Sequence, residues 1–393
     1  MKKAVITGAC RTAIGKMGGA LSATSAASLA SIVIKEALRR SGIEGDAVDM
    51  VYVGCVLQAA QGQNIARQAS VMAGLPYGVP AVTLNAVCGS GLEAVNEAAR
   101  MVRTGEAEVV VAAGTENMSM APYALTQARF GYRMSDQVIV DTMVRDALWD
   151  VFDDCHMIAT ADNICREWNL TREELDAFAL RSQEKAIRAQ KTGRFAKEIV
   201  PVNVQRKKES FLFQTDEGPR ESTMEGLLAL KPVFPDGFVT AGNASGINDG
   251  AAAVVVMSED YAKDFRIRPM ATFVASDMAG VRPDIMGIGP VASTEKLLDR
   301  TGFKIGDFDI IEANEAFAAQ SIAVAKELQI DTERQLNPNG GAIALGHPVG
   351  ASGCRILVTL LHEMQERDAH LGLATLCIGG GMGCSTIVRR ERS

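Results

Sequence analysis

Residues Ala81-Val-Thr-Leu-Asn85-Ala-Val-Cys88-Gly-Ser-Gly91 decide how this chain is read. A short run rich in β-formers stops at a cysteine, and two glycines and a serine follow. Leu92, Val95, Ala99 and Val102 then recur at helical spacing as far as Arg103. Cys88 therefore stands on a strand-to-helix turn, where backbone N–H groups are unpaired and the helix dipole is positive. That setting favours thiolate, the nucleophilic form of cysteine. A lone cysteine so placed is ordinarily a small packing residue, so its meaning depends on what the rest of the chain brings to it.

The 393 residues are 47% hydrophobic and 22% charged, enough apolar material for more than one core. A formal net charge of −7 argues against nucleic acid as a partner. The eight cysteines are spread thinly, with no CxxC pair. That disfavours a disulfide scaffold or a zinc site and fits a reducing cytosol. Ala4–Ala9 is too short for a signal core, and no apolar run approaches a membrane span. A cytoplasmic protein without membrane contact is expected.

Working outward from Cys88, strands alternate with helices. Ala4–Thr7 reads as a first strand, 25–41 as an amphipathic helix stopped by Ser41-Gly42, and Asp49–Val53 as a strand. Gln63–Ala73 reads as a helix, and Glu108–Ala113 as a strand running into Gly114. This is an α/β pattern with a largely parallel sheet. The same order returns later in the chain. Thr301-Gly302-Phe303 echoes Ser41-Gly42-Ile43, and Asp307–Ile311 echoes Ala47–Val51. Gly350-Ala-Ser-Gly353 echoes Cys88-Gly-Ser-Gly91, and Leu373–Ile378 runs into Gly379 as Val109–Ala113 runs into Gly114. The offset is about 260 residues throughout, which indicates a duplicated domain.

In the second copy the glycine run passes almost directly into a last strand, Cys384–Arg389. In the first, the matching strand, Ala251–Met257, arrives far later. Residues 119–247 are therefore extra. They are aromatic and Met-rich at 118–134, helical with a capping box at Thr171 and Glu174, and rich in Lys, Arg and Glu at 205–225. The expected division is 1–118 plus 248–268 as one half, 119–247 as an inserted cover, and 269–393 as the other half. A cover of this kind shapes a substrate channel or serves oligomer contacts.

Three further stretches carry reactive groups: Glu312-Ala-Asn314-Glu-Ala-Phe317, Asn337–Pro348 with His347 in a Gly-rich turn, and Cys377-Ile-Gly379-Gly-Gly381. The glycines lack the spacing of a phosphate loop or a dinucleotide turn, so nucleotide binding is rejected. His362 and His370 lie near Glu363, Gln365 and Glu366 and read as a solvated face. Ligands bind beyond the carboxyl ends of parallel strands, where Cys88, Asn314 and Cys377 all fall. If the halves pack about a pseudo-twofold axis, these residues and His347 converge.

Taken in order, Asn85–Gly91, Thr240-Ala-Gly-Asn243-Ala-Ser245-Gly-Ile-Asn-Asp249-Gly250, Asn314–Phe317, Gly346-His347-Pro348 and Cys377–Gly381 resemble the thiolase family, in its biosynthetic, short-chain acetyl-CoA acetyltransferase branch. The resemblance spans the whole chain. It implies the thiolase-like α/β fold, two βαβαβαββ halves in five αβαβα layers with an inserted loop domain. It implies condensation of two acetyl-CoA molecules to acetoacetyl-CoA and CoA, with coenzyme A as substrate and product and with no metal or redox cofactor. A homotetramer is the implied assembly.

Residue by residue, the resemblance implies that Cys88 carries the acyl group and that His347 takes its proton. Asn314 holds a water that completes an oxyanion hole with His347. The backbone N–H groups of Cys88 and Gly379 form a second hole, and Cys377 deprotonates the second acetyl-CoA. His156 and Met157 are implied to line and narrow the acyl pocket. Leu148, Ala241, Ser245 and Ile247 match positions along the pantetheine tunnel, as do Met286, Ala316 and Phe317. Asp162 stands where the family often has Glu, and Cys165 where it has Ala. A degradative 3-ketoacyl-CoA thiolase of broader chain length is the nearest alternative. A decarboxylating synthase would need a histidine at Cys377. A non-catalytic acyl-CoA-binding relative would lack one of the four catalytic positions, and a cysteine hydrolase would leave Cys377 unexplained.

Overall fold

The protein is described here from a computed structural model that covers residues 1–206 and 209–391. Lys207 and Lys208 of the charged stretch, and Arg392 and Ser393 at the end of the second half, lie outside the described residues.

The first half contributes β1 (Ala4–Thr12), α1 (Ala26–Ser41), β2 (Met50–Gly54), α2 (Ile65–Met72), β3 (Ala81–Leu84), α3 (Ser90–Thr104) and β4 (Val109–Asn117). Two long helices follow, α4 (Met157–Glu167) and α5 (Arg172–Lys191), and the chain then returns as β5 (Asn248–Ser258). The second half contributes β6 (Ala271–Gly280), α6 (Gly289–Thr301), β7 (Ile310–Ala313), α7 (Ala318–Leu328), α8 (Val349–Glu366), β8 (Leu371–Ile378) and β9 (Met382–Arg389).

These nine strands lie in the order β7-β8-β9-β6-β1-β5-β4-β2-β3. The order is a palindrome of equivalents. In each half a parallel set (β2 with β3 and β4; β7 with β8) is followed by two antiparallel strands. The third parallel member of the second half shrinks to a single bridge between Ile311 and Leu336. The sheet is thus mixed, where the sequence suggests a largely parallel one. Among the described residues the two halves join edge to edge through two strand pairs, Val5–Thr272 and Ile6–Ala271.

Alternation along the strands builds the layers. Val110 and Ala112 of β4, with Ala252, Val254 and Val256 of β5, face the middle of the molecule. Val109, Val111 and Ala113, with Ala251, Ala253 and Val255, face α1 and α2. In the second half Ala374 and Leu376 face the middle, while Leu371, Leu373 and Ile387 face α6 and α7. The middle layer is α3 and α8, and α8 is buried on almost every face, as a helix sandwiched between sheets must be.

The matched glycines explain how two helices fit side by side there. A Cβ on Gly91 would lie 2.8 Å from both Cys354 N and Gly350 O, and one on Gly353 would collide with Leu92 N. Each half therefore keeps a glycine because the other half's helix backbone occupies that space.

The excursion between β4 and β5 leaves and rejoins the sheet at one place, since Asn117 pairs with Asp249. Its helix α5 starts with the expected capping box, Thr171 Oγ1 accepting from Glu174 N and Glu174 receiving the Thr171 N–H. This helix lies across both halves, giving Leu175, Phe178 and Ala179 to one outer core and Ala186 and Ala189 to the other. The strand β6 and the helix α4 are not anticipated above. The alternating buried positions Ala271, Phe273 and Ala275 were the available signal for β6, although a bulge between Phe273 and Ala275 turns Ala275 to the outer core. The solvated face assigned to His362 is overturned. His362 lies 3.0 Å from Ala9 O, and Glu363 is buried, held by Arg194 at 2.6 Å and Asn339 at 2.7 Å. Because α8 lies between two sheets, its buried charged positions are spent on other elements rather than on water, and Glu366 at its end stays exposed.

Among the described residues, no helix is long and apolar enough to cross a membrane, and no group of three or more His, Cys, Asp or Glu is arranged to hold a metal ion.

Candidate active site

The nucleophile candidate sits on a strained turn. Val87, a β-branched residue, takes φ +45°, a conformation that costs energy and persists only where neighbours enforce it. Asn85 Oδ1 accepts from Val87 N at 2.9 Å, while Ser90 Oγ accepts from Ala86 N at 2.9 Å and donates to Val87 O at 2.6 Å. Gly89 lets this turn press on the second half, since a Cβ there would stand 2.5 Å from Ile378 Cδ1. That contact sets Cys88 beside Cys377, the penultimate residue of β8. The β8–β9 turn uses Gly380 at φ +84° and Gly381 at φ +87°, backbone conformations that side chains disfavour. It leaves the N–H of Gly379 directed at Cys88 Sγ, together with the N–H of Cys88 itself.

His347 reaches the same point from the second half. Its N–H donates to Asn248 Oδ1 at 3.0 Å, and Asn248 Nδ2 in turn donates to Gly15 O at 2.9 Å. The imidazole Nδ1 lies 2.5 Å from Ser352 Oγ, which donates to Pro348 O at 3.0 Å. Having given its only proton to that carbonyl, Ser352 must accept from Nδ1–H. The free lone pair of His347 is therefore on Nε2, a buried atom without a protein partner among the described residues.

Asn314 follows β7 and stands 3.5 Å from His347 Nδ1, with its Oδ1 also unpartnered. Its backbone is fixed by Asn314 N donating to Thr375 O at 3.0 Å. Asn337 pairs with both Ala313 N and Ala313 O as an extra strand residue would. Glu315 is buried and satisfied by Ser182, Asn337 and Ile343 N, an anchor for this turn.

The helix start was expected to favour a Cys88 thiolate only marginally, with burial opposing it. Burial prevails and pushes the thiol up to about 11, only partly opposed by the Gly379 and Cys88 N–H groups. Burial, helped by the Arg355 cation, pushes His347 down to about 3. Burial and the neighbouring Cys88 raise Cys377 as well. The resting site is a neutral thiol facing a neutral imidazole.

Cys88, His347 and Cys377 open into one cavity of 260 Å³. Every residue assigned above to acyl or pantetheine binding lines it: Leu148, His156 and Met157 on one side, Ala241, Ser245 and Ile247 on another, and Met286, Ala316 and Phe317 against Cys377. Met157 packs so closely on the bare backbone of Gly379 that a Cβ there would collide with its Cε. His156 Nδ1 accepts from Ile158 N at 3.2 Å, and burial lowers its pKa, so it stays neutral with Nε2–H available. The departure at Asp162 is structural, its carboxylate accepting from Phe238 N and Val239 N.

Ala241 also lines a second, wider groove of 940 Å³ on the inserted segment, with Arg188, Lys191 and Arg220 on its walls. The two share Ala241, and Glu184 and Glu221 stand on the groove walls beside the cations, Glu221 paired with Lys191 at 3.4 Å. Ser352, Asn248, Asn337 and this basic trio were not singled out from sequence. Ser352 and Asn248 lie inside quoted motifs, and Arg188 and Lys191 repeat at helical spacing near the end of α5.

Comparison with known proteins gives two family matches, "Thiolase, N-terminal domain" over residues 4–260 and "Thiolase, C-terminal domain" over 267–390. An acetyl-CoA acetyltransferase of Pseudomonas aeruginosa is 55% identical over 100% of both chains. The crystal structure of the Bacillus anthracis acetyl-CoA acetyltransferase superposes with a TM-score of 0.97 at 44% identity, covering 99% of each chain. The human mitochondrial 3-ketoacyl-CoA thiolase gives 0.96 at 40% identity, again covering 99% of each.

Proposed function

The chain belongs to the thiolase family, and from that premise we propose that it is an acetyl-CoA C-acetyltransferase that joins two acetyl-CoA molecules, reversibly, into acetoacetyl-CoA and CoA. The observation that carries this reading is one cavity bounded by two cysteines and a neutral histidine, with backbone N–H groups aimed at the first cysteine's sulfur.

The chemistry follows from the protonation states. Cys88 Sγ attacks the thioester carbon as His347 Nε2 takes its proton. The oxygen of this first thioester, now anionic, is held by the N–H groups of Cys88 and Gly379 and stays there as the carbonyl oxygen of the acetyl-enzyme. The departing CoA sulfur takes the proton of Cys377. The resulting thiolate, made strongly basic by burial, removes an α-proton from the second acetyl-CoA, whose thioester oxygen takes the enolate charge and is held by the His347 Nε2–H and by a water on Asn314. The carbanion attacks the acetyl group on Cys88, whose carbonyl oxygen is held by the N–H groups of Cys88 and Gly379. Cys88 leaves as thiolate and recovers its proton from His347. The protons balance over the cycle, and the His347 cation is matched first by the Cys377 thiolate and then by the enolate, which suits a buried site. No metal or redox cofactor enters these steps.

Met157 against Gly379 supports a short acyl chain. The groove beside Arg188, Lys191 and Arg220 suits the phosphates of CoA, with pantetheine running past Ala241. We read the chain as 1–118 plus 248–268, 119–247 and 269–393, working in the cytoplasm as a homotetramer (a dimer of dimers). Two surfaces support that assembly. The edge strand β3 is unpaired on one side among the described residues, and the inserted segment exposes Phe130, Met134, Val138 and Ile139.

The test of function is thiolysis of 3-ketoacyl-CoAs of increasing length. Acetoacetyl-CoA should be cleaved with the highest kcat/KM. A preference for six carbons or more would instead support the degradative reading, and no cleavage of any would end both.

A further inference from the structure

The strand that delivers Asn314 and the helix that delivers Ser352 face each other across a second, unexplained contact. Glu312 lies two residues before Asn314, and Arg355 lies one helical turn beyond Ser352. Both side chains are buried, at 0% and 2% exposure. Their nearest charged atoms, Arg355 Nη1 and Glu312 Oε2, are 3.8 Å apart, too far for a direct hydrogen bond. Both carboxylate oxygens and all three guanidinium nitrogens lack a protein hydrogen-bond partner among the described residues. The other acids nearby are already engaged: Glu315 by Ser182 and Asn337, Glu363 by Arg194 and Asn339, Glu198 by Arg11 and Thr359. Among the described residues Arg355 is the one cation paired with Glu312, and it opposes the burial that raises the Glu312 carboxyl.

A buried pair of this geometry is a poor source of stability, because the desolvation of two charges is not returned by ideal hydrogen bonds. It does span the gap that Asn314, His347 and Ser352 span, one step further from the cavity. Two rungs therefore cross between β7 and α8. One is the catalytic contact Asn314–His347–Ser352, and the other is Glu312–Arg355.

We propose that Glu312 and Arg355 are positioning residues, a water-bridged ion pair that fixes the spacing of β7 and α8 and thereby the register of Asn314 against His347. The bridge is solvent because a separation of 3.8 Å with five orphaned polar atoms is satisfied by ordered water and by nothing the protein supplies. Neither residue touches substrate. They act through where they hold two groups that do. This rests on the roles proposed for Asn314 and His347.

The experiment pairs Glu312→Gln with the double variant Glu312→Leu/Arg355→Met, which removes both charges at similar volume. Melting temperature, KM and kcat for acetoacetyl-CoA thiolysis are measured beside wild type and Asn314→Ala. The expected result is a double variant that melts at or above wild type, with kcat lowered about 10- to 100-fold and KM within about twofold, the signature of misplaced groups rather than lost binding. Glu312→Gln should lower kcat in the same direction. A kcat within about twofold of wild type in either well-folded variant would overturn the proposal, as would a double variant that does not fold, since the pair would then be structural. An Asn314→Ala variant with full activity would count against the underlying reading instead. A high-resolution crystal structure should show ordered solvent between the two side chains; direct contact there would also overturn it.

Discussion

At Cys88 two effects of known sign compete. A helix start lowers a thiol pKa by an amount worth about 0.3–1 kcal/mol, reaching about 2 only in favourable burial. Full desolvation raises it by more, and here desolvation wins. On the proposed chemistry the thiolate is made during the reaction, which gives His347 a task that a preformed thiolate would not need. With His347 down at about 3 and Cys88 up at about 11, neither group titrates across the middle of the pH range. Acyl-enzyme formation from acetyl-CoA should thus be nearly flat from about pH 5 to about 9. A bell centred near neutrality in single-turnover measurements would show an ion-paired resting state instead. The two cysteines should separate by step. Cys88→Ala should abolish both acyl-enzyme and condensation, whereas Cys377→Ala should still accumulate acyl-enzyme, detectable by mass, while losing condensation. Equal loss of acylation in both would exchange or merge their roles.

At the scale of elements, the repeated Gly-Ser-Gly and Gly-Ala-Ser-Gly turns were legible as an echo but not as a contact. The structure supplies the reason for the echo: Gly91 of α3 and Gly353 of α8 each meet the other helix's backbone. Gly353→Ala forces a methyl into Leu92 N, where no flexible side chain can yield. It should cost about 1–3 kcal/mol or more through overpacking, seen as a lower midpoint in urea. Activity should fall as well, because α3 and α8 carry Cys88 and Ser352 at their starts. Ala94→Gly, inside α3 and facing the core, is a useful contrast: it should lower stability without widening the helix separation. The capping box at Thr171 was readable because its signal is local, four residues long. The strand β6 was missed because the echo of β1 carries no reactive motif to draw attention to its alternation.

For the whole molecule, the inserted segment is anchored to the double core by charge as well as by apolar packing. Arg11 of β1 is buried and reaches Glu198 at 2.6 Å and Asp216 at 2.7 Å, both on the inserted segment. Burial alone would raise the pKa of Glu198, but Arg11, with His362 and Arg194, brings it below the usual carboxylate range. The folded pKa is therefore depressed. Its contribution to stability is full above the ordinary value of about 4.3 and is lost as pH falls through the folded value. Arg11→Met leaves Asp216 with no cation among the described residues and Glu198 with only the longer Arg194 contact at 3.3 Å, and should cost about 3–5 kcal/mol. Urea melts at pH 7 and pH 4 check both points: the variant should lose most at pH 7 and less at pH 4, where protonation relieves the unpaired acids. An equal loss at both would place the effect in packing.

The sequence by itself determined the periodicities and the echo between its two ends, and it brought Cys88, Asn314, His347 and Cys377 forward as candidates, because each is written in local order or in motifs that keep their spacing. The tertiary structure decided the protonation states, the tautomer of His347 and the pairing of Glu312 with Arg355. Those depend on desolvation and on groups brought together from distant parts of the chain, and no local pattern records them. Cys88 is the clearest case: its position in the chain says thiolate, and its burial makes it a thiol.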